Sequence, residues 1–136
     1  MPLYICSSRK NALDDKAKHA IANAITNIHC SVTGAPPSFV HAFFFEDSEQ
    51  FPLNEKELVV RGTIRRGRSD QQKNEIAQAI NEELIKHGGV HEQQVEALIR
   101  ETPASWVMEG GEIMPEPGEE DAWFEAQELR RQGAES

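Results

Sequence analysis

Three features of this chain could do proton or anion chemistry: a proline at position 2, a run of arginines within 61–68, and a histidine at position 29. Pro2 stands directly behind Met1. Loss of that methionine would leave the ring nitrogen as a free secondary amine, a base when neutral and an acid when protonated. An unperturbed terminal amine titrates at roughly pH 7.7–8.0, and nearby cations or burial lower that value. Without partners, Pro2 would simply open an edge strand, where its missing N–H does no harm.

The arginines fall where a partner should be. Arg65, Arg66, Gly67 and Arg68 join the end of an alternating strand to Ser69, the first residue of a helix signal. An arginine fork matches a carboxylate in two-pronged fashion. A helix start adds N–H donors and the positive end of its dipole. The expected ligand is a small carboxylate, and the plainer alternative is a solvated basic turn. His29 lies one turn past Ile25, on the inner side of the first helix. His87 and His91 share a four-residue spacing, but Gly88 and Gly89 break the helix between them, so no metal site is expected. No phosphate-cradling glycine loop, nucleophile elbow or dinucleotide fingerprint is present, and no cofactor is expected.

The elements that must position these residues come from a duplication. At an offset of 55 residues, Lys18, Ile21, Ala22, Ala24 and Ile25 recur as Lys73, Ile76, Ala77, Ala79 and Ile80. Val40, Ala42 and Glu46 recur as Val95, Ala97 and Glu101, with Gly34 matching Gly89 between the two blocks. Each copy reads strand, helix, strand: a strand from Pro2 to Ser7 and another from Leu58 to Arg65, with returning strands at 38–46 and 93–101. Leu13, Ala17, Ile21, Ala24, Ile25 and Ile28 mark the apolar stripe of the first helix, with Asp14 or Asp15 at its start. The second opens on a capping box, Ser69 to Gln72, carries Ile76, Ala77, Ile80 and Leu84, and stops at Gly88 and Gly89. Right-handed crossovers make the strands within each copy parallel. The expected fold is one α+β domain spanning 1–136: two β-α-β units, about 2–46 and 57–101, form a four-stranded sheet with two helices on one face.

Residues 102–136 form an extension. Turn residues fill 106–118, and Trp123, Phe124 and Leu129 follow in a charged, helical stretch that should dock on its own subunit or a neighbour. The second face of the sheet is left uncovered, which calls for self-association.

Composition excludes some partners. With 23 acidic against 14 basic residues, the net charge of −9 disfavours nucleic acid and anionic membranes. No apolar run approaches the ~18–20 residues of a membrane span, and no leader opens the chain, so a cytoplasmic protein is expected. Cys6 and Cys30 are too few for a disulfide framework.

A Pro2 start, duplicated β-α-β units and an Arg65–Arg68 loop together resemble the tautomerase superfamily, and more narrowly the cis-3-chloroacrylic acid dehalogenase group. The resemblance runs from Pro2 to Trp123 and Phe124. It is most specific at 17–29, 65–69 and 101–118. It implies a homotrimer with Pro2 as the catalytic amine, Arg65 and Arg68 binding the substrate carboxylate, and His29 assisting. It also implies that Glu109 stands where those dehalogenases activate water. Their partner tyrosine on the last long strand is Leu98 here, and a leucine cannot polarise water. Arg65, Arg68 and a protonated His29 would ease the proton from Pro2, whereas Glu109 would oppose this. Keto–enol tautomerisation of small carboxylates is therefore the first expectation. The alternatives are a cis-3-haloacrylate dehalogenase or hydratase using Glu109, and a non-catalytic trimeric carboxylate-binding protein that keeps Met1.

Overall fold

The computed structural model describes residues 2–109 and 111–135, with the side chains of Glu109, Ala134 and Glu135 outside the description. Strand β1 (Leu3–Ser8) is followed by helix α1 (Asp15–Thr33) and strand β2 (His41–Glu46). The second copy gives β3 (Leu58–Arg65), α2 (Asp70–Gly88) and β4 (Val95–Thr102). A short hairpin, β5 (Met108–Glu109) and β6 (Glu112–Ile113), leads to helix α3 (Glu120–Glu135).

The duplication is visible in the coordinates. Helices α1 and α2 are each 19 residues long and begin 55 residues apart. The 3-10 turns before the returning strands, Pro37–Phe39 and Glu92–Gln94, keep the same offset. These turns explain why β2 and β4 begin at His41 and Val95 rather than at 38 and 93. The Asp14 side chain caps α1 by accepting from the Ala17 N–H, and Ser69 with Gln72 forms the reciprocal capping box of α2. Gly34 and Gly89 end the helices in the left-handed conformation, at φ 77° and 65°.

The sheet order is β2-β1-β3-β4. β1 pairs parallel with β2, β3 parallel with β4, and the two copies meet antiparallel through β1 and β3. Alternation along the strands aims Tyr4, Cys6, Leu58, Val60, Ile64 and Val95 at the helices. There they bury against Ile21 and Ile25 of α1 and Ile76, Ile80 and Leu84 of α2. Burial of such side chains stabilises by roughly 1.5–3 kcal/mol each.

The second face of the sheet is not wholly bare, which corrects the expectation. The 47–57 connection folds back over part of it: Phe51 packs on Phe45 at a ring separation of 5.0 Å, and the Pro52 carbonyl accepts from Arg61. Register partners Ser7 and Val59 are buried on that face as a result, whereas Phe43 stays half-exposed. Apolar Phe51 favours this return, since packing its ring on Phe45 removes both from water. Among the described residues, no helix is long and apolar enough to cross a membrane.

Candidate active site

His29 belongs to the same stripe of α1 as Ile21 and Ile25, so the geometry that builds the core also drags an imidazole into it. It is 2 % exposed. Its Nδ1 lies 2.8 Å from the Tyr4 hydroxyl, with the rings edge to face. Tyr4 reaches this position because its neighbour on β3 is Gly62: a Cβ there would stand 2.5 Å from the Tyr4 ring. Burial pushes the Tyr4 hydroxyl well above its usual range, so it keeps its proton.

Burial, reinforced by the Arg68 charge, pushes the imidazole down from 6.5 to about 4. His29 is therefore neutral at physiological pH, which corrects the expectation of an imidazolium. Tyr4 has no other hydrogen-bond partner among the described residues, so its proton is satisfied by donation to Nδ1. The imidazole proton then resides on Nε2.

Arg65 ends β3 with its side chain largely buried. It donates to the Pro115 carbonyl at 3.1 Å and faces a Glu120 carboxylate oxygen at 3.4 Å. Arg68 sits just before the Ser69 cap, and its Nε is buried without a hydrogen-bond partner. Burial and the neighbouring Arg65 lower its pKa, and Glu120 counteracts this. The backbone N–H groups of Glu120 and Gly118, with Arg65 and Arg68, hold the Glu120 carboxyl below its ordinary value.

Pro2, His29, Arg65 and Arg68 line a single pocket of about 400 Å³, within the usual range for small-molecule sites. Pro2 itself is buried, its carbonyl accepting from the His41 N–H that starts the β1–β2 ladder. The rest of the wall is apolar: Phe39 after α1, then Met114, Pro115 and Phe124 from the extension. The extension is held over the pocket by several contacts. Trp123 Nε1 donates to the Ile113 carbonyl at 2.7 Å, Arg130 pairs with Glu112, and Gly67 faces the Pro117 ring. Gly67 has φ +112°, a conformation that suits glycine, and a Cβ there would meet Pro117 Cγ at 2.5 Å.

Of the two other expected site residues, one stands apart from this cluster and the side chain of the other is not described. Leu98 lies on β4 opposite Arg61, on the sheet face away from the helices, and does not line the pocket. The Glu109 backbone pairs with Glu112 in the hairpin, and its side chain is outside the described residues. Conversely, sequence reasoning missed Tyr4 and Glu120. The chain's only tyrosine gave no spacing signal, and Glu120 was one acid in an acidic tail. Among the described residues no group of three or more His, Cys, Asp or Glu side chains could hold a metal ion. His87 pairs with Glu83, and His91 accepts from the Gln93 N–H, so the two histidines do not converge.

Chemically, the pocket offers two guanidinium groups, one of them facing Glu120, a neutral imidazole N–H, an amine if Met1 is absent, and a largely apolar wall. The solved structure of N1, a member of the cis-3-chloroacrylic acid dehalogenase family, is similar over 98 % of this chain and 99 % of that one, at 27 % identity and a TM-score of 0.78. The native structure of Ps01740 is 32 % identical, with a TM-score of 0.71 over 79 % of this chain and 99 % of that one. A fused 4-OT symmetric trimer shares the fold at 19 % identity and a TM-score of 0.70, over 82 % and 94 % of the two chains. No curated protein sequence gives a significant match. A family model described as "Putative oxalocrotonate tautomerase enzyme" matches residues 1–128. The chain belongs to that oxalocrotonate tautomerase family, within the tautomerase superfamily.

Proposed function

We propose that this protein is an amino-terminal-proline tautomerase acting on small enol and 2-oxo carboxylates, working as a homotrimer. The observation that carries the reading is the buried, unpartnered Arg68 Nε beside Arg65, in one pocket with Pro2 and His29. A buried donor without an acceptor is costly, and a bound carboxylate supplies one. With the carboxylate on the arginines, the neutral Pro2 amine takes the proton from the enol oxygen. As that O–H bond breaks, the C=O bond forms and the C=C pair becomes available at carbon. The Pro2 ammonium returns the proton there, making the C–H bond and regenerating the base. The His29 Nε2–H and the arginines steady charge on the oxygen during transfer. A neutral imidazole suits this role because it donates a hydrogen bond without surrendering a proton. The trimer is supported by the exposed Phe43 on the sheet face and by the trimeric fold relative.

The test begins with intact mass, which should show Met1 removed. Ultraviolet decay of the enol of an aryl 2-oxo acid should then fall about 100-fold or more in Pro2→Ala, the low end of general acid–base effects because alanine keeps a primary amine. Retained Met1 with full turnover would sink the mechanism.

A further inference from the structure

Among the described residues, Glu120 is the one acid lining a pocket that otherwise reads as an anion site. It comes from the extension, at the first residue of α3, 55 positions beyond Arg65. Its two oxygens are both engaged: Oε1 with Arg65 Nη2 at 3.4 Å and Oε2 with the Gly118 N–H at 2.8 Å. Those contacts and the charges of Arg65 and Arg68 keep it ionised. Among the described side chains, and with the Pro2 amine neutral, the pocket holds two guanidinium charges against one built-in carboxylate, and His29 adds none. One positive charge remains uncompensated. It sits at Arg68, the arginine with the unsatisfied Nε.

This balance admits one carboxylate and disfavours a second. A monoanion on Arg68 brings the cluster to neutrality. The second carboxylate of a dianion would lie near Arg65, where Glu120 repels it, or against the wall of Phe39, Met114 and Phe124, where it would lose part of its hydration without a cationic partner among the described side chains. Excluding a ligand by an unfavourable group is selection by repulsion, distinct from tighter binding of the preferred one.

We propose that Glu120 is the charge-selecting residue of this pocket, restricting its ligands to monocarboxylates with an apolar body. This rests on the reading of the pocket as a carboxylate site and adds the class of acid it takes. Glu120 need not touch the reacting atoms; it acts on the ligand's net charge.

The experiment compares two unreactive acids of one skeleton, cinnamate and 4-carboxycinnamate, by titration calorimetry on the full chain at pH 7.5. The native protein should bind cinnamate about tenfold more tightly than the dianion or better, and Glu120→Gln should bring the two within about threefold, chiefly by improving the dianion. A purely structural role for Glu120 would weaken both acids alike and leave their ratio unmoved, which overturns the proposal. Should Glu120→Gln fail to fold, the native ratio still decides, because equal or tighter binding of the dianion by the unaltered protein also overturns it. If neither acid binds, and Arg68→Ala changes nothing, the carboxylate reading itself fails. If both bind through Arg68 with no preference, that reading stands and only the selection falls.

Discussion

Acidification should attack this fold through His29 before it reaches most of the carboxylates. The imidazole titrates at about 4 in the folded chain and at roughly 6.5 once unfolded. Between those values the unfolded state binds more protons than the folded one, so stability falls as pH falls. The contribution is fully present above about pH 6.5, is lost progressively down to about pH 4, and is flat below. At 1.36 kcal/mol per pH unit the gap amounts to about 3 kcal/mol, a large share of a typical 5–15 kcal/mol domain stability. Protonation also removes the Nδ1 acceptor that satisfies Tyr4, so the hydroxyl and the ring lose their arrangement together. The assay is urea unfolding at fixed protein concentration from pH 7 to 4, because self-association makes midpoints concentration-dependent. Ordinary carboxylate titrations enter both proteins, so the native chain is compared with His29→Gln, whose amide has no such titration. The native protein should lose about 3 kcal/mol more than the variant across this window. Parallel pH profiles would refute the argument, and would mean that His29 is hydrated in solution.

Two further outcomes follow from the pocket's margins. Gly67→Ala should lower stability by about 1–3 kcal/mol from its positive φ alone, and the clash with Pro117 should loosen the extension, raising KM for carboxylates. Pro117→Ala in the same chain should recover KM but not the full stability loss, and simultaneous recovery of both would show that the backbone is unstrained. The native protein should release halide from a cis-3-haloacrylate slowly or not at all. Because Leu98 does not line the pocket, Leu98→Tyr should leave that release unchanged, and a rise would show that position 98 reaches the site; fast native release would move dehalogenation ahead of tautomerisation.

The repeat made most of the fold legible. Matching apolar positions 55 residues apart, capping residues at Asp14 and Ser69, and glycine stops at 34 and 89 are local signals, and each was found where expected. The pocket was half legible. Pro2, Arg65, Arg68 and His29 could be named from residue type and placement, and they converge. The charge of His29 could not, because it depends first on burial and then on the Arg68 charge, and both arise from parts of the chain distant in sequence. Glu120 escaped for a related reason: a helix-start acid in an acidic tail reads as solvated until the extension is seen folding back over the arginines. The cover over the second sheet face escaped because Phe51 and Leu53 lie in a connection with no periodicity.

The two copies of the duplicated unit have diverged at equivalent positions. Helix-start positions two residues before Asp15 and Asp70 hold Leu13, buried in the core, and Arg68, in the pocket. His29 has Leu84 as its counterpart in the other copy, equally buried but apolar. The pocket draws one polar group from each copy, His29 and Arg68, and the equivalent position in the other copy is hydrocarbon each time. The same backbone geometry lines a pocket at one end of the sheet and packs the core at the opposite end. Among the described residues, the pocket of Pro2, His29, Arg65 and Arg68 thus has no twin built from the equivalent positions, although the backbone has nearly twofold symmetry.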